Sequence, residues 1–91
     1  MGTKKKKRNP VRDEEGLKML ANQLKTVRKR HGYTQTKLAH EAGLEVSQIG
    51  RIETAQTNAT VSTMMRIART LDIPVSHLFE FKLEKLDFEK D

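Results

Sequence analysis

The stretch that decides the fold is Gln35–Glu53, QTKLAHEAGLEVSQIGRIE. Leu38, Ala39 and Ala42 recur at helical spacing, Gly43 interrupts them, and Val46, Ile49 and Ile52 resume the same period. Thr34 suits the N-cap of the first segment, because its hydroxyl can accept an orphan backbone N–H. Gly43 supplies a positive φ at the break without a Cβ penalty. Ala39 is the small residue that two helices crossing at a steep angle need. The second segment is expected from about Glu45 to Glu53.

Two short helices joined by a tight, glycine-containing turn are the sequence form of a helix-turn-helix. The pattern extends on both sides. Upstream, Leu17, Leu20, Ala21, Leu24 and Val27 form one stripe of a helix that Gly32 ends. Arg28, Lys29, Arg30 and His31 lie in its last turn, where cations complement the helix dipole. Downstream, Thr54–Ala59 is polar and reads as a loop, and Thr60 can cap a fourth helix carried by Val61, Met64, Ile67, Ala68 and Leu71. Pro74 precedes Val75, Leu78 and Phe79, which suit a short fifth helix. The fold expected is all-α: a compact five-helix domain over residues 17–79.

Composition bounds the function. The chain has 91 residues, 18 Lys plus Arg against 12 Asp plus Glu, and a net charge of +6. Only 35% of residues are apolar and 4% aromatic, so a deep enclosed substrate pocket is not expected. The absence of Cys rules out disulfides and Cys-ligated metal centres. No apolar run is long enough to span a membrane, and the basic N-terminus lacks the apolar stretch of a secretory signal. The surplus positive charge points to a polyanionic partner. Residues 1–16, with Lys4, Lys5, Lys6, Lys7 and Arg8, carry six basic and three acidic residues and read as a flexible, disordered basic arm. Residues 17–79 carry nine and four, and residues 80–91 three and five.

From Leu24 to Phe79 the chain resembles the lambda-repressor-like, Cro/C1-type (XRE) helix-turn-helix family. The residues that carry the resemblance are Val27-Arg28-Lys29, Gly32, Thr34-Gln35, Leu38-Ala39 and Ala42-Gly43-Leu44. Ile49, Arg51-Ile52-Glu53, Met64–Arg69, Leu71, Ile73 and Leu78-Phe79 complete it. The resemblance implies a sequence-specific binder of double-stranded DNA, with the second helix across the backbone and the third in the major groove. It implies a bacterial, cytoplasmic, nucleoid-associated transcriptional repressor that reads a pseudo-palindromic operator as a homodimer. No Ser-His-Asp or Cys-His set and no paired acid/base carboxylates stand out, so no enzymatic activity, cofactor or metal is expected. The resemblance places Val46, Ser47, Gln48 and Arg51 at base edges, and Thr34, Gln35, Lys37, Thr54, Thr57 and Asn58 at phosphates. Arg51 can donate two hydrogen bonds to guanine, and Val46 can touch a thymine methyl. Arg28 and Glu53 match a structural ion pair.

Three departures from the family pattern stand out. Glu45 replaces a small capping hydroxyl and adds negative charge near the DNA backbone. Gly50 lies inside the recognition helix, at a cost of about 1 kcal/mol against Ala. The loop after Glu53 lacks the glycine and basic residue often found there. The Lys4–Arg8 run admits three readings: a solvated tail, a DNA-embracing arm, or a nuclear-localisation-like signal. His31, His40 and His77 share no metal-ligand spacing, Met64 and Met65 read as core, and Asp13-Glu14-Glu15 as a solvated acidic cluster. Residues 80–91 fit a strand or a helix equally. Their Phe81, Leu83, Leu86 and Phe88 are expected to pack on a partner subunit as a dimerisation segment. The second functional class left open is an antitoxin or regulatory module whose main partner is a protein held by this C-terminal tail.

Overall fold

A computed structural model describes residues 11–86. Four α-helices run in chain order: α1, Glu14–Arg30; α2, Gln35–Ala42; α3, Val46–Glu53; α4, Val61–Leu71. A 3₁₀ helix, Val75–Phe79, follows. Among the described residues there is no strand. The all-α architecture is the expected one, with the fifth helix in the tighter 3₁₀ form. Pro74 bounds that element at its N-cap, and five residues suit the i→i+3 pattern better than a full α turn.

The core is one cluster drawn from every element. Leu24, Leu38, Ile49, Ile67 and Leu78 are wholly shielded from solvent, one residue from each. Each such burial is worth about 1.5–3 kcal/mol. Of the two methionines on α4, Met64 enters the core at 2% exposure, whereas Met65 is 48% exposed and stands outside it. Adjacent helical positions point about 100° apart, so both cannot face inward.

α1 begins before the apolar stripe does. Asp13 is its N-cap and accepts the Gly16 N–H at 2.9 Å, and Glu14 and Glu15 occupy the first turn. Asp13–Gly16 therefore belong to the helix rather than to the arm. The acidic cluster complements the positive end of the helix dipole. Apolar periodicity is blind to a first turn that has no apolar residue. The Lys4–Arg8 run lies outside the described residues.

All four α-helices close in the same way. A residue in left-handed conformation follows the last turn, and the next amide reaches back across it: Tyr33 to Arg28, Leu44 to Ala39, Gln56 to Arg51 and Ile73 to Ala68, at 2.8–3.1 Å. This is the Schellman closure. Glycine supplies the positive φ after α1 and α2, whereas Ala55 (φ 59°) and Asp72 (φ 57°) supply it after α3 and α4.

Residues 80–86 form neither the strand nor the helix that their pattern allows. The Phe81 N–H donates to the Phe79 carbonyl at 2.8 Å around Glu80 (φ −79°, ψ 75°), a tight reversal. It returns Phe81 to the core of its own chain, with the Phe79 and Phe81 rings 6.3 Å apart. Phe81 is thus occupied within the chain rather than offered to a partner. Leu83 and Leu86 remain exposed, and Phe88 lies outside the described residues.

Candidate nucleic-acid interface

The turn between α2 and α3 is fixed by three devices. Gly43 adopts φ 71°, ψ 35°. The Leu44 amide bonds to Ala39, whose side chain is fully buried. Arg66, on α4, donates to the Ala42 carbonyl at 3.3 Å. On the far side of the turn, Glu45 is the N-cap of α3, and its N–H is accepted by Gln48 Oε1 at 2.9 Å. Glu45 thus contributes as half of a capping box, and the Gln48 carbonyl oxygen is committed to that box.

α3 divides into two faces. Ile49, Ile52 and Glu53 are buried; Val46, Ser47 and Arg51 are exposed. The inner face is braced by charge. Arg28 donates to both Glu53 oxygens, at 2.6 and 2.9 Å, and to the Tyr33 carbonyl at 2.9 Å. Gln35, at the start of α2, donates to Glu53 Oε1 at 3.0 Å. Burial pushes the Glu53 carboxyl up. The hydrogen bonds from Arg28 and Gln35, with the nearby positive charge, more than offset that and hold it below its ordinary range. Glu53 in turn raises the Arg28 guanidinium. Among the described residues no buried side-chain polar atom lacks a partner. One carboxylate therefore ties α1, α2 and α3 together and fixes the direction of the exposed face.

The residues expected at phosphates fall into several settings. Thr34 caps α2 by accepting the Lys37 N–H at 3.0 Å. The Lys37 ammonium sits 4.7 Å above the Tyr33 ring. Tyr33 itself is held by its hydroxyl bond to Glu41 at 3.2 Å. Gln35 is half-buried and turned to Glu53. Thr57 and Asn58 share a shallow recess of about 190 Å³ with Gln48 and Arg51. Thr54 does not join them: its hydroxyl donates to the Gly50 carbonyl at 2.8 Å, and it lies beside Lys18 and Asn22 of α1. Asn58 donates to the Val11 carbonyl at 3.0 Å, and Arg12 reaches the Ala55 carbonyl at 3.4 Å while pairing with Glu14 at 2.7 Å. The chain entering α1 is thus pinned to the α3–α4 loop. Sequence reasoning missed Arg12, Tyr33 and Arg66, because each donates to a backbone carbonyl far away in sequence: those of Ala55, Thr70 and Ala42. Among the described residues no group of His, Asp or Glu has a metal-holding arrangement. No described helix is long and apolar enough to cross a membrane.

A short helix, a glycine-closed turn and a second helix with one face braced and the other bare define a helix-turn-helix. The helix-turn-helix profile HTH_3 matches residues 24–78. The chain belongs to this family of DNA-binding regulators, of the Cro/C1 (XRE) type. It is 33% identical over 57 residues to antitoxin HipB of Escherichia coli K12, covering 63% of this chain and 65% of HipB. It is 32% identical over 63 residues to the HTH-type transcriptional regulator SutR of the same organism, covering 69% of this chain and 35% of SutR. The chain thus spans less than two thirds of each of these relatives. Among solved structures it is similar to the restriction-modification controller protein C.AhdI from Aeromonas hydrophila. The TM-score is 0.68 at 32% identity, over 69% of this chain and 96% of that one.

Proposed function

We propose that the protein is a sequence-specific transcriptional repressor that binds double-stranded DNA through α3 in the bacterial cytoplasm. The observation that carries the reading is the division of α3: Val46, Ser47 and Arg51 are bare while Glu53 behind them is clamped by Arg28 and Gln35. Arg51 reads guanine, Ser47 and Val46 read neighbouring edges, and the free amide of Gln48 reaches the rim. Thr34, Lys37, Thr57 and Asn58 line the backbone on either side, with Gln35 turned inward to Glu53 and the exposed Thr54 closing the last turn of α3. The Lys4–Arg8 arm adds sequence-independent attraction. Two copies related by a two-fold axis set their recognition helices about 34 Å apart and read a pseudo-palindrome. Occupancy of the operator is the activity.

The test is selection from a random duplex library with the intact chain. A symmetric consensus supports the reading; recovery of no preferred sequence sinks it. Arg51→Ala then costs about 1–3 kcal/mol on the selected duplex and relaxes one base position, read by titration against single-position variants.

A second reading makes a protein the main partner, as in an antitoxin. It is favoured by the likeness to HipB and by the exposed Phe79, Leu83 and Leu86 at the C-terminal end. A stable second protein that purifies with the chain and is lost on removal of residues 80–91 distinguishes it.

A further inference from the structure

Four glycines lie among the described residues, and three of them answer to the fold. Gly32 and Gly43 hold positive φ, and a Cβ on Gly16 would lie 3.3 Å from the Asp13 carboxyl. Gly50 answers to nothing within the chain. It sits in the middle of α3 with helical φ, and, its chain neighbours and own helix backbone aside, a Cβ built on it meets no atom within 4 Å. The fold has room for a side chain there, and the helix would be firmer with one. At about 100° per residue, Gly50 falls between Val46 and Ser47. Gly50 is half-buried, so the space it leaves empty lies at the edge of the bare face, beside the exposed Val46.

We propose that Gly50 is a specificity-determining position, resting on the DNA-binding reading above: its bare Cα and the Val46 methyls form an apolar notch that receives a thymine C5-methyl. The major groove is about 12 Å wide. A helix with its side chains is about 10–12 Å across. The side chains on the inserted face therefore set how deep the helix lies. Removing one lets the backbone approach the base edges. The thymine methyl is the apolar group that major-groove edges offer. Val46, 43% exposed, supplies one apolar wall, and Ser47 and Arg51 flank it with groups suited to polar edges.

The experiment compares the intact wild-type chain with Gly50→Ala. Thermal unfolding is measured without DNA. Affinity is measured on the library-selected duplex, on versions with each thymine replaced by deoxyuridine, and on an unrelated duplex. The Ala variant unfolds a few degrees higher. It binds the selected duplex at least about ten-fold more weakly and the unrelated duplex within about two-fold of wild type. One deoxyuridine position weakens wild type about four-fold, the worth of one buried methyl, and restores most of the affinity lost by the Ala variant. Three results overturn the proposal: an Ala variant that binds the selected duplex as well as wild type, a loss that no deoxyuridine relieves, or a lower unfolding temperature. If wild type selects no sequence at all, the DNA-binding reading itself has failed, which is distinct from selection by both chains alike.

Discussion

Gly43 and Ala55 hold equivalent places at the ends of α2 and α3. Both have left-handed φ, 71° and 59°, and both are spanned by the same pair of backbone bonds. Their surroundings differ. Gly43 adopts its conformation at little cost, and the turn that follows is closed by Ala39, the capping box and Arg66. Ala55 carries a Cβ into a region that disfavours it by about 1–2 kcal/mol. Its loop is held from outside, by Arg12 on its carbonyl and by the Asn58 bond to Val11. The turn that aims α3 is thus free of backbone strain, while the loop that leads away from α3 relies on a distant segment for support.

The comparison is tested hardest at Glu53, the carboxylate behind both regions. Glu53→Ala leaves Arg28 buried without its partner and frees Gln35, at a cost of about 3–5 kcal/mol in urea unfolding at neutral pH. The pH dependence has a definite sign. Glu53 has its folded-state pKa below the ordinary 4.5. Its contribution is fully present above that value and is lost as pH falls through the folded one. The wild-type stability curve should therefore drop in that acid window, and the variant curve should lack that part of the drop. Parallel curves would mean that the clamp contributes no proton linkage.

Gly43→Ala probes the turn alone. Ala must take the left-handed conformation, and its Cβ would lie 3.0 Å from the Arg66 guanidinium, displacing the bond to Ala42. A loss of about 1–2 kcal/mol is expected by urea unfolding. A neutral result would show that the turn has slack and that the contrast with Ala55 is unfounded.

The same two sites show what the sequence can reveal. Gly43 marks a helix end because glycine is common at positive φ, so α2, the turn and the start of α3 were legible at once. Ala55 and Asp72 do the same work with residues that carry no such signal, and Asp13–Glu15 start a helix with no apolar residue to announce it. Within the candidate interface, Val46, Ser47 and Arg51 came from the family resemblance, and their exposure agrees with a helix that buries Ile49 and Ile52. The setting of Asn58 could not be read, because its partner is a backbone carbonyl 47 positions away. The tail was the hardest. Phe79, Phe81 and Leu83 alternate like a strand, but the reversal at Glu80 is set by packing against the core, a tertiary cause that local pattern does not contain.

Ala55→Gly gives the smallest expected effect and the sharpest contrast, because it is the reverse of Gly43→Ala at an equivalent position. Glycine removes the left-handed penalty of about 1–2 kcal/mol. It also gains backbone freedom in the unfolded chain, which offsets about 0.5–1 kcal/mol of that relief. The net is a gain of about 0.5–1 kcal/mol, visible as a higher urea midpoint with unchanged slope. The Arg12 contact is to the Ala55 carbonyl, so the substitution leaves its acceptor in place, and the gain should survive in an Arg12→Ala background. A loss of stability would mean that the Ala55 methyl makes packing contacts worth more than the strain. The α3–α4 loop would then be as internally determined as the turn at Gly43.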